Sequence, residues 1–382
     1  MYNISMNIIP RANEKQILKD LQKKMVFIVG PRQVGKTFLA REISKKFKNV
    51  TYLSYDNIED QKKIKAMNWS EKTELLVLDE LHKMPMWKNF LKGTYDTKPD
   101  NLKILVTGSA RLEAYRHMGD SMAGRFFVHH LMPLTLSELK NTSYQKDLDY
   151  FIRRGGFPEP FLARDELDAE RWRDEYVDSL VKGDVLSFEK IYNINLMNNI
   201  FELLRTKIGS PISHSSIARD VEASPTTVKK YIKVLEALYI IFKVPTYSKK
   251  ISRSILKRAK IYFFDTGLVK GDNGVKFENF LAVSLLKYIL QKKDFLGRSG
   301  KLMYLKDKDG REVDFALVDE NNEIEKIIEA KLSDGSISKH LIYFKNKYNL
   351  KAEQIVKNLR NEYHSEGIQI LKAEKYLTNL TI

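Results

Sequence analysis

Cysteine is absent from the 382 residues of the sequence. Disulfide stapling and thiol chemistry are therefore excluded, and a cytoplasmic setting is favoured. Also absent is any apolar run of the roughly 18 residues that a membrane-spanning helix needs, so no membrane partner is expected. The opening residues, Met1-Tyr2-Asn3-Ile4-Ser5, have neither the basic start nor the apolar stretch of a secretion signal. Acidic residues are in deficit: 49 Asp and Glu stand against 65 Lys and Arg, a formal net charge of +16. That balance makes nucleic acid a leading partner class, with a lysine-rich solvated surface as the plainer alternative. Hydrophobic residues at 43% and charged residues at 30% are ordinary for a globular protein. The length suits about two or three domains.

What is present is dominated by Gly30-Pro31-Arg32-Gln33-Val34-Gly35-Lys36-Thr37, which fits the P-loop pattern G-x-x-x-x-G-K-[ST]. The preceding Met25-Val26-Phe27-Ile28-Val29 is continuously apolar and reads as a strand buried on both faces. Phe38 to Ile43 reads as the start of a helix. Strand, glycine loop and helix N-terminus form the context in which this pattern binds phosphate. Gly30 and Gly35 let the backbone turn its N–H groups toward phosphate oxygens. Lys36 supplies a point charge for the β- and γ-phosphates, and Thr37 a hydroxyl for Mg²⁺. ATP and Mg²⁺ are the expected ligands.

Leu75-Leu76-Val77-Leu78-Asp79-Glu80 reads as a second buried strand tipped by two carboxylates. Asp79 is expected to hold the Mg²⁺ through water, and Glu80 to polarise the attacking water as a base. Lys103 to Ser109 reads as a third strand ending in small polar residues, with Ser109 as the candidate sensor of the γ-phosphate. Val50 to Asp56 is a fourth, and residues 11–24 carry the spacing of an amphipathic helix. Strands alternating with helices predict a doubly wound α/β domain whose ligands sit at the carboxyl ends of the strands. Arg125 follows Gly124 and is a candidate arginine finger, acting on its own subunit or on a neighbour's. The latter would require a homo-oligomer. Gly155-Gly156-Phe157-Pro158-Glu159-Pro160 reads as a tight turn without catalytic chemistry.

The P-loop, Asp79-Glu80-Leu81-His82-Lys83, Thr107-Gly108-Ser109, Ala123-Gly124-Arg125-Phe126 and Gly155-Gly156-Phe157-Pro158-Glu159 occur in that order. Together they resemble a large prokaryotic family of AAA-type P-loop ATPases with a C-terminal domain of unknown function. The resemblance covers nearly the whole chain. It implies an ATPase core, a winged-helix segment and a C-terminal nuclease-like fold.

The residues bear on both later parts. Asn198 to Leu204 reads as a helix, and Ser213 is placed to cap a short second one. Ser224-Pro225 opens a third, in which Val228, Ile232 and Leu235 form an apolar stripe. Lys229, Lys230 and Lys233 fall off that stripe, where a recognition helix meets phosphates. Lys249, Lys250, Arg253, Lys257, Arg258 and Lys260 follow in a candidate wing. Further on, Glu312 to Val318 and Ile324 to Leu332 read as consecutive strands. Glu329 and Lys331 are two apart and share a face. Asp314 followed by Glu329-x-Lys331 looks like the PD-(D/E)xK nuclease core, with Glu278 as a helix-borne fourth member. In that pattern Asp314 and Glu329 bind Mg²⁺ or Mn²⁺, and Lys331 positions or activates the attacking water. A degenerate fold used only for contacts remains the alternative.

The expected fold is α/β: a P-loop NTPase parallel sheet, then a helical winged-helix segment, then a small α/β nuclease-like domain. The expected segments are an AAA-type P-loop ATPase core over 1–140, a helical lid or linker over 141–195, a winged helix over 196–265 and a PD-(D/E)xK nuclease-like domain over 266–382. Two functions stay open. Either an Mg²⁺-dependent ATPase acts on or regulates DNA, or ATP switches a protein–protein assembly and the nuclease-like domain is inactive.

Overall fold

The computed structural model describes residues 9–108, 122–180, 193–248, 258–333 and 335–382. The chain divides into two compact units: Met1–Met132 with Glu138–Gln145, and Pro133–Ser137 with Lys146–Ile382.

The first unit is built on five strands: β1 (Met25–Val29), β2 (Val50–Ser54), β3 (Leu75–Asp79), β4 (Lys103–Thr107) and β5 (Phe126–His130). They form one sheet in the order β2-β3-β4-β1-β5, with every pairing parallel. Every residue of β1 and of β3 is buried, as strands covered by helices on both faces must be. The helix Lys36–Ser44 follows β1 and turns Leu39, Ala40 and Ile43 inward. The helix Glu14–Asp20 is shorter than the amphipathic stretch that contains it. Phe27, Leu76, Leu78, Ile104 and Val106 share one core with Trp87 and Leu91 of the helix Trp87–Thr97. Because the strands are parallel, the ends of β1 and β3 open on the same edge of the sheet.

The second unit begins with short helices and continues with Ile194–Arg205, His214–Asp220 and Pro225–Ala237. Ser213 and Ser224 cap the last two, each accepting a backbone N–H three residues on. An antiparallel hairpin follows, β6 (Ile241–Val244) with β7 (Lys260–Phe263), and Pro211 makes an isolated bridge to Lys260. The 24-residue helix Asn273–Leu296 then leads into a mixed sheet. Its strands are β8 (Lys301–Lys306), β9 (Glu312–Val318), β10 (Ile324–Ser333), β11 (Ala352–Asn358), β12 (Tyr363–Ser365) and β13 (Ile368–Lys372), in the order β12-β13-β11-β10-β9-β8. Strand β9 has the bounds read from the sequence, and β10 runs one residue further. Just beyond β6, Thr246 bridges to Tyr304 of β8, so the hairpin is stitched to the edge of the mixed sheet. No described helix is long and apolar enough to cross a membrane.

Candidate functional site

The P-loop occupies the turn between β1 and the helix Lys36–Ser44. Gly30 has φ 145°, and a Cβ there would lie 2.2 Å from the carbonyl oxygen of Leu131, so only glycine fits. Gly35 caps the helix with φ 99°. Gln33 is also left-handed, at φ 57°, which keeps the loop curled without a third glycine. Pro31 and Val34 are buried, Arg32 is half-buried and Gln33 is exposed. The buried Arg11 clamps the loop from behind. It donates to the carbonyls of Val34 (2.8 Å) and Met132 (2.5 Å) and pairs with Glu138 at 3.0 Å. Lys36 is buried and folds back over the loop, its Nζ donating to the carbonyls of Gly30 (3.0 Å) and Pro31 (2.5 Å).

Asp79, at the tip of β3, is the centre of the site. Thr37 Oγ1 donates to its Oδ2 at 3.0 Å, Tyr52 Oη donates to Oδ2 at 2.7 Å, and Thr107 Oγ1 donates to Oδ1. The helix after β1 and the strands β2 and β4 thus converge on one carboxylate of β3. Thr37 and Asp79 both offer hard oxygen donors, the type of ligand that Mg²⁺ takes. Burial raises the Tyr52 phenol above its usual value and the Asp79 carboxylate raises it further, so Tyr52 stays protonated as a donor. Nothing in the sequence gives Tyr52 or Thr107 a role at Asp79; the strand pairing does.

Glu80 follows Asp79 in a left-handed conformation, φ 56°. That turn takes its carboxylate out of the strand alternation, toward Lys83 (3.5 Å) and His82 (3.7 Å). Burial raises its pKa above the ordinary glutamate value, while Lys36 and Lys83 oppose the rise. Lys83 is itself held by Asp56, at 2.6 Å, beyond the end of β2. Asp79 and Glu80 are therefore brought together beside the P-loop, and Lys83 links Glu80 to Asp56. Ser109 lies outside the described residues. Arg125 is not brought to this edge. Its carbonyl accepts from the N–H of Met25, the first residue of β1, and its guanidinium grips Asp96 at 2.8 and 3.1 Å. Five strand residues, or about 16 Å, separate that edge from the P-loop, which puts its own subunit's phosphate site out of reach.

The second unit gathers the other predicted set. Glu278 comes from the helix Asn273–Leu296, Asp314 from β9, and Glu329 and Lys331 from β10. Asp314 Oδ2 accepts the N–H of Ala330 at 3.1 Å, and Lys331 pairs with Glu329 at 2.9 Å. At their centre stands a residue that the sequence placed elsewhere. Lys260, read as part of a basic wing, is only 1% exposed. It points inward from β7 to Glu312 (2.8 Å), Asp314 (3.1 Å) and Glu278 (3.6 Å). Every residue of β7 is buried, so no side chain of this strand, Lys260 included, is left on an open basic face. Burial alone would lower the Lys260 pKa, but Asp314, Glu278 and Glu312 overcome it and hold the ammonium charged. Glu278 and Glu329 are raised, first by burial and then by Asp314. Tyr262 Oη donates to Glu278 at 2.7 Å.

Among known proteins, residues 22–140 match the family described as an AAA domain, and residues 145–276 match a domain of unknown function (DUF8612). An uncharacterized protein of Mycobacterium tuberculosis is 26% identical over 246 residues, covering 64% of this chain and 55% of that protein. The chain thus spans little more than half the length of this mycobacterial relative. An uncharacterized protein of Methanocaldococcus jannaschii is 26% identical over 339 residues, covering 80% of this chain and 75% of that one. Among solved structures, a Walker-type ATPase of Pyrococcus abyssi aligns with TM-score 0.44 and 14% identity, covering 68% of this chain and 95% of that chain. Sheet order, P-loop and the matched AAA segment give the first unit the fold of a P-loop NTPase.

Proposed function

We propose that the chain binds ATP with Mg²⁺ at the P-loop, hydrolyses it with Glu80 as the base, and uses the cycle to act on or regulate nucleic acid. The observation that carries the reading is Asp79, held by Thr37, Tyr52 and Thr107 at the edge where Lys36 and Glu80 also meet. Bound Mg²⁺ would be held by Thr37 and Asp79 and would neutralise charge on the phosphate oxygens. The backbone N–H groups of the loop and the helix N-terminus bind phosphate, and Lys36 exchanges its loop carbonyls for phosphate oxygens. Glu80, deprotonated, takes the proton of the attacking water. Arg125 is left to act only across a subunit boundary, in an oligomer.

The nucleic-acid part rests on the helix pair His214–Asp220 and Pro225–Ala237, followed by the β6–β7 hairpin, an order that suits a winged helix. Lys229, Lys230 and Lys233 are exposed on the second helix while Val228, Ile232 and Leu235 are buried. DNA is the proposed ligand of that face. The remaining wing cations Lys249, Lys250, Arg253 and Lys257 lie outside the described residues, and Arg258 is exposed. The test is phosphate release with and without duplex DNA at low salt. Stimulation by DNA that Lys36→Ala abolishes is expected; turnover indifferent to DNA would favour the second reading. In that reading ATP switches a protein–protein assembly, and the closed ion-pair cluster around Lys260 favours it.

A further inference from the structure

The carboxylates of Glu278, Glu312 and Asp314 converge from one helix and one strand on a single point in the second unit. That point is occupied by Lys260 Nζ, at 3.6, 2.8 and 3.1 Å. The ammonium is shut away from water, so it persists only because these carboxylates surround it. The surrounding groups are committed as well. Glu312 also takes Lys306 at 2.7 Å, and Glu278 accepts the Tyr262 hydroxyl. Both oxygens of Asp314 accept, one from Lys260 and one from the N–H of Ala330. The hairpin that delivers Lys260 is stitched to β8 through Thr246, so the lysine is anchored by backbone pairing as well as by charge.

A divalent ion shared by these carboxylates needs several oxygens at roughly 2.0–2.6 Å. Any such position lies within a few ångströms of Nζ, where a dication and an ammonium repel strongly in a poorly hydrated pocket. Among the described residues, no group of three or more His, Asp or Glu is arranged to hold a metal ion.

We propose that Lys260 is the resident cation of this cluster, standing where a divalent metal would have to bind. The cluster of Glu278, Glu312 and Asp314 is thereby closed to Mg²⁺ and Mn²⁺, and Asp314, with one oxygen on Lys260 and the other on the N–H of Ala330, is withdrawn from metal-dependent phosphodiester cleavage. Lys260 instead fastens the β6–β7 hairpin to β9 and to the helix Asn273–Leu296. The proposal is independent of ATP hydrolysis in the first unit.

The experiment is a Mn²⁺ titration of the nucleotide-free full chain, read by electron paramagnetic resonance, on wild type, Asp314→Asn, Lys260→Met and the double variant. Ions bound at the P-loop are common to all four and cancel in the comparison. Wild type and Asp314→Asn should bind the same amount of Mn²⁺. Lys260→Met should gain about one ion per chain, and the double variant should lose it. A wild-type ion that Asp314→Asn lacks would overturn the proposal. So would a folded Lys260→Met that gains none. If Lys260→Met fails to fold, the comparison of wild type with Asp314→Asn still decides. DNA and RNA incubated with wild type and Mg²⁺ or Mn²⁺ should stay intact; cleavage that Asp314→Asn abolishes would also overturn it.

Discussion

Tyr52 Oη lies 2.7 Å from Asp79 Oδ2, so a phenol on β2 shares with Thr37 the oxygen expected to face Mg²⁺. The bond orients the carboxylate and takes up part of its charge. Tyr52→Phe removes one hydrogen bond to an ionised group and leaves the ring packing in place. A loss of about 1–2 kcal/mol is expected, raising the Mg²⁺ concentration for half-maximal ATP turnover by roughly five- to thirtyfold. Maximal turnover at saturating Mg²⁺ should change less. A Mg²⁺ dependence identical to wild type would remove Tyr52 from the site.

Lys36→Ala tests the loop itself. The wild-type Nζ is already poised over Gly30 and Pro31, and no other lysine belongs to the loop. Loss of a charge-assisted contact to phosphate should weaken ATP binding on the order of a hundredfold. Calorimetry is the measurement, with melting of the apo protein as the control for folding. Undiminished affinity would refute the nucleotide assignment.

Glu80 separates binding from chemistry and gives a pH signature. Glu80→Gln should retain ATP yet slow single-turnover phosphate release by about 10²–10⁴-fold, because an amide is no base. In wild type the base works only when deprotonated, and burial has raised its pKa. Hydrolysis should therefore fall on the acid side at a pH above the ordinary glutamate range. Lys83 opposes the rise, so Lys83→Met should move that acid limb to still higher pH. An acid limb unmoved in Lys83→Met, or wild-type rates in Glu80→Gln, would place the base elsewhere.

The parts legible in the sequence are those with local causes. Uninterrupted apolar runs gave β1 and β3, since a strand covered on both faces tolerates nothing else. Ser213 and Ser224 announced their helices through capping chemistry that spans three residues. What was not legible depends on register and on which end of a strand meets which neighbour. Tyr52 and Thr107 reach Asp79 only because β2 and β4 flank β3 in parallel register. The Gly-Arg context of Arg125 points to phosphate, but β5 begins beside Met25, at the opposite edge. In the sequence Lys260 stands among the cations of a basic stretch. Nothing in that charge run distinguishes an outward lysine from one that the fold buries among Glu278, Glu312 and Asp314.

The last prediction concerns the basic face of the helix Pro225–Ala237. Lys229 and Lys233 are one turn apart and Lys230 adjoins them, all three exposed on the side opposite the buried stripe. Lysines so placed neutralise DNA phosphates and release counterions, which makes affinity fall steeply with salt. Changing all three to Glu removes three positive charges and adds three negative ones without touching Val228, Ile232 or Leu235. Melting temperature should therefore change little, since exposed helix substitutions of this kind have small effects. Duplex binding at low salt should weaken on the order of a hundredfold or more, and the slope of log affinity against log salt should fall by up to about three. The measurement is fluorescence anisotropy at several salt concentrations, on wild type and the triple variant, with circular dichroism to confirm the fold. DNA-stimulated ATP turnover should disappear in the variant, while turnover without DNA stays at the wild-type level. Equal affinities and equal slopes would remove this helix from the DNA-binding surface and leave the positive charge of the chain as solvated exterior.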